Sequence, residues 1–235
     1  MWRSTRIALY GLFLYPALAQ TPPNVAEILQ RVSQTYRAAS NYEFVADATL
    51  REDGANKGWS SHVLFAFESP NRYRMEGAFP GMGSDGSVPG KAVLVHDGST
   101  LWCYFPESNQ YVTFKASDLT NNAPGDQGDV APAAMDHFMM WRYRGAADFS
   151  DTRFLRDETL EFAGAKVDCY VVTVAQKKGG YAYTWWIDKQ RSRILREDNA
   201  ESSTVYTTVN LDKPLPGELF KFEPPPGARK VENQR

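Results

Sequence analysis

The sequence predicts a mainly β protein of the α+β class: one antiparallel meander with a single amphipathic helix against it. Three observations carry that prediction. From Tyr42 onward, apolar and polar residues alternate with a period of two, the pattern of strands with one covered face. The connectors between these runs are short and rich in Gly, Asn, Asp and Pro, the residues that join neighbouring antiparallel strands. Before Tyr42, one stretch has the three-and-four spacing of a helix.

The chain has 235 residues, 43% hydrophobic and 13% aromatic, which is enough to bury a core. Its net charge is −2, so composition points to no nucleic-acid partner. Arg3 and Arg6 precede an apolar run over residues 7–14, and Ala17-Leu18-Ala19 closes it. This is the pattern of a secretory signal peptide over residues 1–19, cleaved before Gln20. The run falls short of the ~20 apolar residues that cross a bilayer as a helix, and it contains Gly11 with Pro16 after it. Residues 20–235 then read as a single domain, exported and with no anchor of its own, with no linker or internal repeat. The expectation is an exported monomer. In an oxidising compartment the two cysteines, Cys103 and Cys169, read either as a disulfide or as two small buried hydrophobes inside strands.

Each element has its own signal. Pro22 and Pro23 bar helix upstream, and Asn24 with Glu27 three positions on forms a capping-box pattern. Val25, Ile28, Leu29, Val32, Tyr36 and Ala39 then make one apolar stripe, predicting a helix that ends near Ser40. Tyr42, Phe44, Ala46, Ala48 and Leu50 share one face of the first strand. Trp59, Ser61, Val63, Phe65 and Phe67 share one face of the second, and Tyr73 and Met75 alternate with charges in the third. Residues 79–90 read as a Gly- and Ser-rich loop. The next run reaches Val95, and Asp97-Gly98 turns it tightly into a strand over 101–105, because Gly accepts positive φ. Pro106 to Asn109 turns again into Tyr111-Val112-Thr113-Phe114.

Residues 117–131 are nearly all turn-formers, a length of loop that is usually functional in a compact domain. They lead to a helix beginning at Pro132 and rich in soft apolar side chains: Met135, Phe138, Met139, Met140 and Trp141. Met fills irregular, changing shapes, so this helix reads either as core packing or as a hinged lid over an apolar cavity. Five further strands are expected over 153–162, 167–174, 181–188, 193–197 and 204–211. Phe220 and Phe222 then precede a rigid proline run.

No constellation predicts catalysis. His62, His96 and His137 lack metal-ligand spacing, and no nucleophile elbow, Walker loop or dinucleotide fingerprint is present. A Cys103–His96 dyad is poorly served by a thiol in mid-strand. No metal, cofactor or catalytic residue is expected. An apolar cavity under the sheet has lining to hand in Phe65, Phe67, Tyr73, Met75, Trp102, Trp185 and the helix with Met135, Phe138, Met139 and Trp141.

Two motifs make the chain similar to the periplasmic lipoprotein carriers of the LolA type and the wider LolA/LolB-like superfamily. Asp97-Gly98-Ser99-Thr100-Leu101-Trp102, Tyr104, Pro106 and Gln110 follow the pattern D-G-x-x-L-W-x-Y-x-P then Q. Phe220, Phe222, Pro224, Pro225 and Gly227 follow the closing pattern F-x-F-x-P-P-x-G. The order of parts also agrees along essentially the whole mature chain. The resemblance implies a strongly curved antiparallel sheet, an incomplete barrel covered by the N-terminal helix and a midway lid helix, here residues 134–140. It implies a non-enzymatic carrier that binds acyl chains of lipoproteins or other lipids. In outer-membrane lipoprotein sorting such a carrier takes cargo from an inner-membrane transporter and passes it to an outer-membrane receptor. Superfamily members also include stress sensors and glycolipid binders, so a regulatory or interaction protein on the same fold is the other expectation. The family's basic residue before the proline that ends the second strand is Ser69 here, before Pro70, so the lid latch does not carry over.

Overall fold

A computed structural model describes residues 22–51, 58–79, 90–115, 145–177 and 182–232. The expected signal peptide, the loop over 117–131 and the midway helix with Met135, Phe138, Met139 and Trp141 lie outside the described residues.

Helix α1 spans Val25–Ala38, two residues shorter than the sequence suggests. Asn24 caps it: its carbonyl oxygen accepts from the Ala26 amide (3.1 Å), and its amide nitrogen donates to Glu27 (3.0 Å). Glu27 in the first turn and Arg37 in the last complement the helix dipole. Val25, Ile28, Leu29, Val32 and Tyr36 are buried, as the stripe predicts.

The strands are β1 (Asn41–Leu50), β2 (Trp59–Glu68), β3 (Arg72–Phe79), β4 (Gly90–His96), β5 (Thr100–Phe105), β6 (Gln110–Lys115), β7 (Phe149–Phe162), β8 (Ala165–Gln176), β9 (Ala182–Asp188), β10 (Ile194–Asp198), β11 (Ser202–Leu211) and β12 (Arg229–Lys230). They form one 12-stranded sheet in the order β12-β6-β5-β4-β3-β2-β1-β11-β10-β9-β8-β7. It is curved and does not close into a barrel, the incomplete barrel expected. Two meanders, β1 to β6 and β7 to β11, join where β11 pairs with β1. Every neighbouring pair is antiparallel except β12 on β6, a short strand that the proline-rich sequence did not announce.

The registers assign the two faces. One row runs Phe44, Phe65, Met75, Leu94, Cys103, Val112 across β1 to β6. A second runs Tyr42, Phe67, Tyr73, His96, Leu101, Phe114. This is the inner face, the one α1 covers, where the Tyr36 and Tyr42 rings meet at 5.5 Å.

The neighbouring row, Ala66, Arg74, Val95, Trp102, Thr113, points outward. There the C-terminal segment lies across the sheet. Phe220 is buried, with the Arg72 guanidinium 5.1 Å from its ring centroid. The Phe222 ring sits 5.5 Å from Trp102, 5.7 Å from Tyr104 and 6.2 Å from Tyr111. Asn109 fastens the end: it accepts from the Tyr104 hydroxyl (3.0 Å) and donates to the Pro226 carbonyl (3.4 Å), and its own carbonyl accepts from the Arg229 amide (3.0 Å). The two sequence motifs are therefore the two sides of one clasp.

The Asp97 turn explains the rest of its motif. Gly98 has φ +105°, a conformation that favours glycine. One Asp97 carboxylate oxygen accepts from the Ser99 and Thr100 amides (2.8 Å each), and the other from the Trp102 indole (3.4 Å). Burial alone raises a carboxyl pKa, but these donors outweigh it and hold Asp97 below the usual range.

Beyond β6 the described chain resumes at a one-turn 3-10 helix, Gly145–Asp148, docked on α1. The buried Ser33 hydroxyl accepts from the Ala146 amide (2.9 Å). Gly145 has φ +74°, and a Cβ there lies 2.7 Å from Arg37 Nη2 and 3.0 Å from Ser33 Oγ. Gly145→Ala is expected to cost about 1–2 kcal/mol through left-handed strain and this crowding, measured as a lower urea midpoint at unchanged m-value.

Candidate functional site

The inner face is the candidate site, because alternation concentrates large apolar side chains there. Of the residues expected to line it, Phe65, Phe67, Met75 and Trp185 are buried and Tyr73 is half-buried. Phe44, Leu94, Val112 and Phe114 belong with them. The period of two in each strand already carried that information; what it lacked was the register that aligns one strand's period with the next.

Trp102 departs from its expected place. It sits between Leu101 and Cys103 on β5, so the pleat turns it outward, under Phe222. It is part of the clasp, not of the inner face. Met135, Phe138, Met139 and Trp141 lie outside the described residues.

Cys103 and Cys169 are both free and buried, which corrects the disulfide reading. Cys103 is on β5 and Cys169 on β8, and β4, β3, β2, β1, β11, β10 and β9 lie between those strands. Burial pushes both thiols up to about 12, so neither is a ready nucleophile. His96 does not act as a base to Cys103: its Nδ1 accepts from the Gly98 amide at 3.2 Å.

Besides Tyr73 and His96, the polar groups on the inner face lie on α1, β1 and β9 to β11. Trp185 donates to Glu197 at 2.6 Å, stacks on Tyr183 at 5.8 Å and meets the Phe149 edge at 4.9 Å. The Tyr36 hydroxyl accepts from the Ile194 amide (3.3 Å). Burial pushes Tyr36 up to about 12 and holds Tyr42 and Tyr206 well above the ordinary phenol value, so these phenols stay neutral at physiological pH. The result is an extended apolar surface with neutral phenols and one carboxylate, Glu197, engaged by the Trp185 indole, at one side, the make-up of a site for a largely apolar ligand. Among the described residues no group of three or more His, Cys, Asp or Glu is placed to hold a metal ion, and no helix is long and apolar enough to cross a membrane.

Comparison with known proteins gives the same class. The outer-membrane lipoprotein carrier protein of Actinobacillus pleuropneumoniae is 30% identical over 213 residues, covering 90% of this chain and 84% of the relative. The chain belongs to the family of outer-membrane lipoprotein carrier proteins. The carrier of the same name from Pasteurella multocida is 24% identical over 229 residues, covering 97% of this chain and 95% of that one. An uncharacterised protein of Methanocaldococcus jannaschii is 23% identical over 208 residues, and this chain spans about half of its length, 53%, with 88% of the chain aligned. No protein-family model matches. Among solved structures, LprF of Mycobacterium bovis aligns with a TM-score of 0.49 at 12% identity, over 83% of this chain and 97% of that one. The lipoprotein LppX of Mycobacterium tuberculosis gives 0.47 at 10% identity, over 82% and 97%. A LolA superfamily protein of Nitrosomonas europaea gives 0.34 at 13% identity, over 83% and 96%.

Proposed function

We propose that this protein is an exported, non-enzymatic carrier that holds acyl chains of lipoproteins or other lipids against the inner face of its sheet, in outer-membrane lipoprotein sorting. The observation that carries this reading is the pair of apolar rows headed by Phe44 and Tyr42, running unbroken across β1 to β6 except for His96. Membership of the carrier family supports it. On this reading the cargo comes from an inner-membrane transporter and goes to an outer-membrane receptor, and the protein works as a periplasmic monomer. Phe65, Phe67, Tyr73, Met75 and Trp185 contact the chain, together with Met135, Phe138, Met139 and Trp141. Phe44, Phe65, Phe67, Met75 and Trp185 are buried, so on this reading an acyl chain reaches them only when part of their cover moves.

Native mass spectrometry after gentle purification is expected to show bound lipid. A brominated fatty acid added to delipidated protein is expected to quench tryptophan fluorescence, and Trp185→Phe to remove a large share of that quenching. Protein that emerges without lipid and takes up no fluorescent fatty acid sinks the proposal. A stable protein partner in an envelope pull-down, without lipid, favours a sensor on the same fold.

A further inference from the structure

His96 interrupts the second inner row: a single imidazole among Tyr42, Phe67, Tyr73, Leu101 and Phe114, buried to 5% exposure. Its partners lie in two separate turns. Nδ1 accepts from the Gly98 amide (3.2 Å) in the β4–β5 turn. The Asn71 backbone in the β2–β3 turn faces the ring and favours its protonated form. Asn71 answers by donating its side-chain amide to the Gly98 carbonyl (3.1 Å). The ring is also stacked on Tyr73, with centroids 5.2 Å apart and planes 14° from parallel.

With Nδ1 accepting, the ring is the neutral tautomer that carries its proton on Nε2. A second proton can go only on Nδ1, where it faces the Gly98 N–H, donor against donor. We propose that His96 is an acid-released latch, whose neutral ring fixes the Gly98 peptide so that Asn71 of the β2–β3 turn can grip the Gly98 carbonyl, and whose protonation breaks the bond to Gly98 and frees that turn from Asn71.

The surroundings decide where the latch opens. Among the described residues the ionisable groups around it are Asp97 in its own turn, Tyr73 on β3, and Arg72, whose Cγ lies 3.7 Å from where a Gly98 Cβ would sit. Lys115 on β6 stands one position away, opposite Thr100. Arg72 is paired with Glu68, and Asp97 is occupied by the Ser99, Thr100 and Trp102 donors. Burial lowers the His96 pKa from its usual range, and the Asn71 bond and Asp97 only partly oppose it. A ring whose pKa falls on folding contributes stability that is complete above its ordinary pKa of ~6.5 and is lost as pH drops through the folded value. The latch does not depend on bound lipid. It places the change beside Tyr73, one of the residues assigned above to the lipid, so mild acid loosens the inner face where the two turns meet.

The mature chain, titrated by NMR from pH 8 to pH 5, tests this directly, since only His62, His96 and His137 contribute imidazole signals. His96 is expected to titrate below the ordinary imidazole value of ~6.5, as the Nε2-protonated tautomer above its midpoint, and the Gly98 amide to shift with the His96 midpoint. His96→Asn keeps an acceptor near Nδ1 without a titration. It is expected to flatten the fall in Tm between pH 7 and pH 5 relative to the parent. A Gly98 amide that ignores the His96 midpoint overturns the latch, as does a His96 midpoint at or above the ordinary ~6.5. The NMR result on the parent chain stands even if the variant does not fold.

Discussion

Arg193→Met is expected to cost about 3–5 kcal/mol, the penalty for breaking a buried ion pair from one side. Arg193 lies just before β10 and is 8% exposed; its partner Asp188, at the end of β9, is 3% exposed. One guanidinium nitrogen donates to Asp188 (3.1 Å) and another to the Val209 carbonyl on β11 (2.6 Å), while the Phe162 ring packs 5.4 Å from the guanidinium carbon. Asp188 also accepts from the Gln190 and Arg191 amides (2.9 and 3.0 Å), so one ion pair fixes the β9–β10 turn and ties it to β11. Methionine fills the volume but leaves the Asp188 charge without its counter-ion. In a domain of this size the loss lowers Tm by on the order of 10 °C. Asp188→Asn added to Arg193→Met removes the stranded charge, keeps an acceptor for the turn, and is expected to recover part of the loss. Equal stability of the single and double variants in urea denaturation would refute the stranded-charge explanation.

Phe220→Ala is expected to cost about 3–5 kcal/mol, comparable to a core phenylalanine, although it lies on the outer side of the sheet. At 1% exposure beneath the 3-10 turn Gly217–Phe220, the ring is as enclosed as Phe44 or Phe65 on the inner face. Phe222→Ala, at a half-buried ring, is expected to cost roughly half as much. A chain ending before Gly217 is expected to self-associate, because it uncovers Trp102, Tyr104 and Tyr111 together with the edge of β6. Size-exclusion chromatography of the truncated and full chains checks this; a monomeric, stable truncated chain means the clasp contributes little.

Much of this was legible in the residues. Asn24 with Glu27 marked the start of α1, and the period of two in Phe65, Phe67, Tyr73 and Met75 marked the face they share. Strand ends were read short, as at β7, which starts at Phe149 and not near Arg153, because Asp151 at positive φ and bulges near Ser150 and Phe154 break the alternation there. Trp102 was misplaced because an aromatic residue suits either face of a sheet, and only the Phe222 ring, 120 positions later in the chain, says which. Cys103 and Cys169 could be paired on paper, since spacing along the chain says nothing about how many strands separate them. The Glu197–Trp185 bond and the His96 contacts were invisible for the same reason: each joins residues that only the register brings together.

The sheet's connectivity also sets an order of assembly. The N-terminal meander has two raw edges when first made, β1 on one side and β6 on the other. The first is covered by β11 and the second by β12, both from the last quarter of the chain. Such distant pairings are slow to find, and until they form, the half that carries most of the apolar inner face has strand edges open to other chains. A chain made N-terminus first exposes that half before its cover arrives. The period in which it most needs protection from aggregation is therefore its own synthesis.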